Sequence, residues 1–553
     1  MASRSQKVPG PPHLRPPTSG VGAASLRLRT ARAVAALGSG AAALMTRYEA
    51  FFVLAVAAGY AFVQVGRAQR PLWFDELFTF YISRLPDLGQ VFRALPADGN
   101  PPLNYLLVRG SLRLLGETSF AIRLPSLLAF TAAVLAVFCF VRRRSGPVFA
   151  LFGMLSLATC GNAAYGSEAR PYALLLGFTG LTLLSWQAAT SENRPRVTSL
   201  IGLAAGIAGA ISSHHYGLIY VGVPLVLGEA VRLFERRRFD LPLYCAGAVG
   251  LCMLAATLPF AFATRQILLD YVKESVSFWA KPTIWNVRSY WNMVVYWLPP
   301  AFLALLWLTQ SSAAYDAKST PSSSQARPFP AHEAAAAVGL AMLVPIMIVF
   351  TWLTTGCYIS RYAIGAAMGI AILVGLVTPF LGRSRRHVTG VAALCVLLLG
   401  AWLFAPLAST GARAMFQRAK PAPSGSLEAT TVLDAAPGRE PIVVASALSY
   451  ARMWWYASPR LRERLHYLAD LPFAVHQPDF VPELALVVNR EIVPSKVDDY
   501  REFLAEHRRF FLYCSGSPRL EWVKERLQAE KWTLRLLRSR GAKTLYIAEA
   551  PAP

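Results

Sequence analysis

Charge is scarce in this sequence. Asp, Glu, Lys and Arg make up 16% of its 553 residues, where a soluble chain carries about a quarter. With 54% of the residues hydrophobic, that deficit excludes an ordinary soluble enzyme. Acids are the scarcer sign, 31 against 55 Lys and Arg, and none precedes Glu49. The basic surplus of +24 does not make a nucleic-acid-binding face, which needs its cations on one folded surface. It is spread over short loops at 142–144, 235–239 and 383–386 and over an N-terminal tail holding Arg4, Lys7, Arg15, Arg27, Arg29 and Arg32. Cysteine is sparse too. The seven, Cys139, Cys160, Cys245, Cys252, Cys357, Cys395 and Cys514, are an odd number without metal-ligand spacing, so neither a disulfide framework nor a thiolate metal site follows. They read as small buried hydrophobes. No internal repeat, glycine-rich phosphate loop or convincing cleavable signal is evident, so the first long apolar block is expected to act as an uncleaved anchor.

What the sequence has in quantity is apolar blocks of about 20 residues, the length that crosses a bilayer's hydrocarbon core. They fall near 48–66, 119–141, 147–164, 171–189, 198–213, 216–232, 242–263, 289–309, 333–354, 361–381 and 387–408. The expectation is a polytopic α-helical membrane protein with about eleven transmembrane helices. Residues 1–47 read as a basic, disordered cytoplasmic tail and 311–330 as a Ser/Pro-rich linker. Placing the tail in the cytoplasm puts the basic loops at 142–146, 190–197, 232–241, 310–332 and 382–387 on the same side, as the positive-inside rule asks. The segment 67–118 and everything after the last block then lie outside the cytoplasmic membrane. Residues 411–553 change character, with strand-like runs at 441–446, 508–515, 533–539 and 543–550 and a helical pattern at 518–532. They are expected to form a soluble exterior α/β domain.

Chemistry-bearing residues gather on that exterior side. Asp75 and Glu76 follow the first block and begin an amphipathic segment with Asp75, Glu76, Thr79 and Ser83 along one edge and an apolar stripe on another. Such a segment suits the membrane interface, although acids also simply complement a helix start. Asn100 stands where it can cap a helix opened by Pro101 and Pro102. Glu168, Arg170 and Tyr172 share one short turn, close enough to pair or to bind a ligand. His214, His215 and Tyr216 follow the fifth block; adjacent histidines diverge on a helix, and no third ligand stands at i+4. Lys281, Arg288, Arg361 and Tyr362 join basic groups to aromatics, which suits a phosphate at headgroup level but also plain interfacial anchoring.

Read in order, WFDEL (73–77), NPPLNYLLVR (100–109), SFAIRLPSLLAF (119–130), YGSEARPYALLL (165–176) and SRYAIGAAMGIAIL (360–373) resemble the bacterial glycosyltransferase family 39-like proteins. These are relatives of the protein O-mannosyltransferases and of the aminoarabinose transferase that acts on lipid A. The resemblance covers about residues 48–408 and implies the GT-C fold, a polyprenyl-phosphate-linked sugar donor, and a lipid, glycan or protein acceptor outside the bacterial cytoplasmic membrane. It implies inversion in a single displacement, with the acid of the DE motif, Asp75, as base and Glu76 beside it. Relatives commonly read His-Pro-Pro where this chain has Asn100-Pro101-Pro102.

On that reading Arg170 and Arg361, with Tyr362, Arg84 and Lys281, are the candidates for the donor's phosphate. Glu168, Tyr172, Asn100 and His215 are candidates for orienting groups or binding the acceptor. No metal site is assigned, and a divalent cofactor stays open. A transporter or flippase of lipid-linked sugars is the competing class, but it would gather its charges near the bilayer midplane, often in paired halves. A polysaccharide polymerase or ligase is a nearer rival, using related donors on the same side.

Overall fold

The computed structural model describes residues 36–191, 196–272, 279–294, 329–381, 385–409, 433, 436–477 and 479–551. Helices dominate through residue 409. A short helix α1 (36–47) runs into α2 (Glu49–Ala68), whose 20 residues are long enough at 1.5 Å per residue to cross the apolar core. Three shorter helices follow, α3 (Phe74–Arg84), α4 (Leu88–Asp98) and α5 (Leu103–Leu115). The second spanning helix, α6 (Ser119–Ser145), starts where the Thr118 side chain accepts from the Ala121 N–H and ends on Arg142, Arg143 and Arg144. Hydroxyl caps suit helix starts and cations suit helix ends.

Among the described residues eight helices are long and apolar enough to cross a membrane, or up to ten if each of two bent pairs is one span. Ten of the eleven blocks expected from sequence coincide with these; most of the block at 289–309 lies outside the described residues, as do residues 1–35 of the tail. Residues 36–47 are helical rather than disordered, and Ala42 and Met45 are buried against the bundle. The core between the helices is filled by Tyr60, Phe130, Phe140, Phe149, Trp186, Tyr220 and Met368.

One bent pair sets the course of the chain around Glu168. Pro147–Ala158 and the 3₁₀ segment Gly161–Ser167 meet at 72°, so the chain turns aside before Glu168 and re-enters the bundle at Tyr172 as the helix Tyr172–Ala189. The alternation of spans brings residues 69–118, 159–171, 214–216 and 355–362 to one end. The turns at 145–147 and 237–240 lie at the other.

After residue 436 comes a six-stranded sheet of β1 (Ile442–Val444), β2 (Leu465–Ala469), β3 (Val497–Asp499), β4 (Arg509–Cys514), β5 (Thr533–Arg540) and β6 (Lys543–Glu549), in the order β3-β2-β1-β4-β6-β5. The first four in that order are parallel, and β6 and β5 are added antiparallel. Side chains alternate between faces as a pleat requires. Phe510, Leu512 and Cys514 pack on one face with Trp522 and Leu527, while Phe511 and Tyr513 join the opposite core.

That opposite core is shared with the membrane part. Leu72, Phe74, Leu77, Phe78, Phe80 and Tyr81 are buried in it with Tyr450, Trp454, Leu465 and Phe511. The apolar stripe of α3 is therefore covered by protein, with Leu77, Phe78 and Tyr81 in the core shared with the sheet domain and Ile82 against α4 and α5, instead of lying open to lipid as a bare interfacial helix would.

The two ends predict a labelling pattern. In a cysteine-free background Ser517→Cys is expected to react with a membrane-impermeant maleimide on intact cells, and Arg238→Cys only after permeabilisation. The reverse pattern overturns the orientation read from the basic loops.

Candidate functional site

The two adjacent acids at the start of α3 have different fates. Glu76 is buried and accepts from Arg123 Nε (2.7 Å), Arg123 Nη2 (2.5 Å), the Trp73 N–H (2.8 Å) and the Ala169 N–H (2.8 Å). All its acceptor capacity is spent inside the protein, so Glu76 is a structural acid and not a second catalytic carboxylate. Arg123 spends the rest of its donors on the carbonyls of Ala68, Arg70 and Pro71.

Asp75, one residue earlier, points the other way. Its side chain is 20% exposed, with Oδ2 3.1 Å from Arg361 Nη1 and 4.0 Å from Arg170 Nε. Arg361 is itself 25% exposed, so solvent reaches this pair. The Arg361 guanidinium also lies 5.7 Å from the centre of the buried Tyr172 ring, within range of a cation–π attraction.

Arg170 is buried and bound to an acid that sequence reasoning passed over. Its Nη1 donates to Asp98 Oδ2 (2.9 Å) and Oδ1 (3.2 Å) and to the Asp75 backbone carbonyl (3.3 Å). Asp98 ends α4, where Gly99 at φ +77° turns the chain; a left-handed residue there is cheap only as glycine. The Tyr105 hydroxyl donates to the same carboxylate. The expected pairing of Glu168 with Arg170 is not made by side chains; only the Arg170 N–H reaches the Glu168 carbonyl, at 2.8 Å. Burial, and then the charge of Glu76, push the Glu168 carboxyl up to about 7, with Asp75 adding to the rise and Arg361 opposing it.

The Nε–H groups of Arg170 and Arg361 are both buried with no protein acceptor. A buried cationic N–H left without an acceptor costs about 1–3 kcal/mol or more. The two guanidinium groups share this cluster with two carboxylates, Asp75 and Asp98, and still have these two N–H donors to spare.

The remaining candidates divide. Tyr362 is half-buried, packs on Tyr216 and His214 (ring centres 5.1 and 6.1 Å), and its carbonyl accepts from the Tyr220 hydroxyl at 2.9 Å. It holds the turn that carries Arg361. His215 keeps a buried Nε2 without a partner, and burial lowers its pKa to about 4, so it stays neutral. His214 Nδ1 accepts from the Tyr216 N–H at 3.1 Å.

Asn100 caps no helix, because α5 begins after Pro102 and the Asn100 amide donates to the Asp98 carbonyl at 3.2 Å. Arg84 is exposed, paired with Glu117 at 2.6 Å and set over the Phe80 ring, so it is not among the site cations. Lys281 is exposed and follows Ala280, whose carbonyl accepts from the Tyr358 N–H at 2.7 Å. It stands beside the 357–362 turn. Among the described residues no three His, Cys, Asp or Glu side chains are grouped to hold a metal ion.

The chain is similar to known proteins over part of its sequence and in its fold. Residues 99–261 match the family described as dolichyl-phosphate-mannose-protein mannosyltransferase. The matched stretch is less than half of the chain; it includes Arg123, Glu168, Arg170 and Tyr172 but neither Asp75 nor Arg361. The ArnT of Cupriavidus metallidurans in its apo state is similar in structure, with a TM-score of 0.55 at 15% identity over 91% of this chain and 98% of that one. The chain has the GT-C fold. The same ArnT bound to undecaprenyl phosphate matches with a TM-score of 0.49 at 16% identity, over 91% of this chain and 98% of that one. No curated protein sequence matches.

Within the GT-C fold, the signal that could have found Arg123 was present: a lone arginine inside an apolar helix needs a named partner. Asp98 carried no such signal, since an acid before a glycine reads as an ordinary turn.

The two acids predict opposite phenotypes. Glu76→Gln strands Arg123, and breaking a buried pair costs about 3–5 kcal/mol. Its thermal unfolding in detergent is expected to fall well below wild type, while Asp75→Asn unfolds near the wild-type temperature. Equal stability of the two variants overturns the division of roles.

Proposed function

We propose that the protein is a membrane glycosyltransferase that moves a sugar from a polyprenyl-phosphate-linked donor to an acceptor outside the cytoplasmic membrane, by inverting single displacement. The observation that carries the reading is the solvent-reached Asp75 carboxylate beside two guanidinium groups with unspent Nε–H donors. The GT-C fold and the match to the dolichyl-phosphate-mannose-protein mannosyltransferase family support the same substrate class.

In this mechanism the acceptor's hydroxyl or amine attacks the anomeric carbon while its proton passes to Asp75. The bond from that carbon to the phosphate oxygen breaks with its electron pair, and the departing phosphate gains charge. Arg361 and Arg170 stabilise that charge more in the transition state than in the bound donor. Before the donor arrives, Arg361 is paired with Asp75. The incoming phosphate competes for Arg361, and surrendering it leaves the Asp75 carboxylate oxygen free to accept the attacking group's proton. Asp98 and Tyr105 keep Arg170 in place throughout, and Tyr172 backs Arg361. The phosphate of a polyprenyl lipid stays at headgroup depth, and the site lies at the end of the spans. Protein, lipid and glycan acceptors all fit this scheme.

Asp75→Asn is expected to abolish transfer while undecaprenyl phosphate binds at least as tightly as to wild type, because Arg361 is released. Mass spectrometry of lipids from cells carrying that variant is expected to show an accumulated lipid-linked sugar. Normal turnover removes Asp75 from the mechanism. Arg361→Ala is expected to weaken undecaprenyl phosphate binding by about tenfold or more, the scale of one charge-assisted contact.

Glu168 predicts a pH effect. Raised to about 7, it gains charge as pH rises through neutrality, and a further negative charge in the site repels the phosphate. Affinity for undecaprenyl phosphate is expected to fall above pH 7 in wild type and to fall less in Glu168→Gln. Identical profiles overturn the assignment.

A further inference from the structure

The sheet domain reaches three of the segments that carry site charges. On α3, Phe80 and Tyr81 enclose Trp455, with ring centres 4.8 and 5.5 Å away in edge-on geometry. The neighbouring Tyr456 hydroxyl accepts from the Leu72 N–H at 2.6 Å, three residues before Asp75. On the 357–362 turn, Cys357 is buried with Ala474, Phe480 and Leu484 of the sheet domain, and Ile359 and Tyr362 pack against the same cluster. On α4, Ile492 packs against the core formed by Ile82, Val91, Ala94, Leu95 and Tyr105. The domain thus grips the carriers of Asp75, Arg361 and Asp98 by three separate apolar contacts.

These carriers need such a grip. α3, α4 and the 357–362 turn lie outside the long helices or at their very ends, and an 11-residue helix is marginal on its own without tertiary packing. Catalytic pairs tolerate displacements well under about 1 Å before rate is lost.

We propose that the C-terminal sheet domain completes the active site by setting the position of Asp75 against Arg361, with Trp455 and Tyr456 as its positioning residues on α3. The inference about rate rests on the transferase reading above; the mechanical part does not. It makes the domain a fixed part of the catalytic unit rather than a separate binding module.

The test uses the full-length protein in nanodiscs, as wild type, Trp455→Ala, Trp455→Phe and Tyr456→Phe. Hydrogen–deuterium exchange of residues 72–84 is expected to rise in Trp455→Ala, to stay near wild type in Trp455→Phe, and to rise locally at Leu72 in Tyr456→Phe. Exchange across Tyr172–Ala189 is expected to be unchanged in all of them.

In cells, Trp455→Ala is expected to cut turnover, read as accumulated lipid-linked sugar, by at least about tenfold. Its affinity for undecaprenyl phosphate stays within about twofold of wild type, since Arg361 is held by other contacts, and Trp455→Phe restores turnover. Unchanged exchange of 72–84 in Trp455→Ala overturns the proposal, as does wild-type turnover in the face of raised exchange. If wild-type cells and Asp75→Asn cells have the same lipids, the transferase reading fails instead, and the exchange data alone decide the clamp.

Discussion

A single buried ion pair organises the site. The Glu76 carboxylate and the Arg123 guanidinium are both nearly inaccessible, 1% and 4% exposed, in surroundings where an unpaired charge is very costly. Between them they bind the end of the first span at Ala68, the connecting segment at Arg70 and Pro71, the start of α3 at Trp73, and the turn before the fourth span at Ala169. Neither charge has a low-energy alternative, so these four segments share one geometry. Asp75 inherits its direction from that knot: with Glu76 turned inward, the preceding side chain on the helix is rotated by about 100° and meets Arg361 instead.

The same logic separates charges that hold from charges that are available. Arg109 is buried and gives its donors to the carbonyls of Ser83, Leu85 and Pro86, closing the end of α3. At the far end of the bundle Glu333 is buried against Arg144 and Gln187, tying three helices together. Glu333 is committed to protein partners, whereas Arg109, although held by its two Nη groups, also keeps a buried Nε–H without one. Around Asp75 the accounting is incomplete: Arg170 and Arg361 keep an unspent N–H each, and Asp75 and Arg361 remain open to solvent. Unspent donors occur at Arg109 as well, but that side chain is sealed in; the cluster around Asp75 combines them with an opening to the surface, which makes it the candidate ligand site.

The sheet domain is built by familiar packing rules and would look self-sufficient from its order of strands. Its inner core is nevertheless continuous with α3, through Phe78, Phe80 and Tyr81 on one side and Tyr450, Trp454 and Phe511 on the other. Membrane bundle and sheet meet without an aqueous gap at that contact, and the helix carrying Asp75 belongs to both.

The sequence by itself determined the membrane class, the positions of ten helical blocks, and the strands β1, β4, β5 and β6, because twenty-residue apolar runs and alternating strands are local patterns with a local physical meaning. It also singled out Asp75, Arg170, Glu168 and Arg361 as charges misplaced for an apolar chain. It missed β2 and β3, whose short runs carry little alternation, and it could not separate Asp75 from Glu76. Only the tertiary structure decided which of those adjacent acids is buried by Arg123, that Asp98 rather than Glu168 pairs with Arg170, and that Arg84 stays with Glu117 at the surface. The reason is that charges find partners far along the chain (72 residues from Asp98 to Arg170, for example), and no local pattern records which partner desolvation will select.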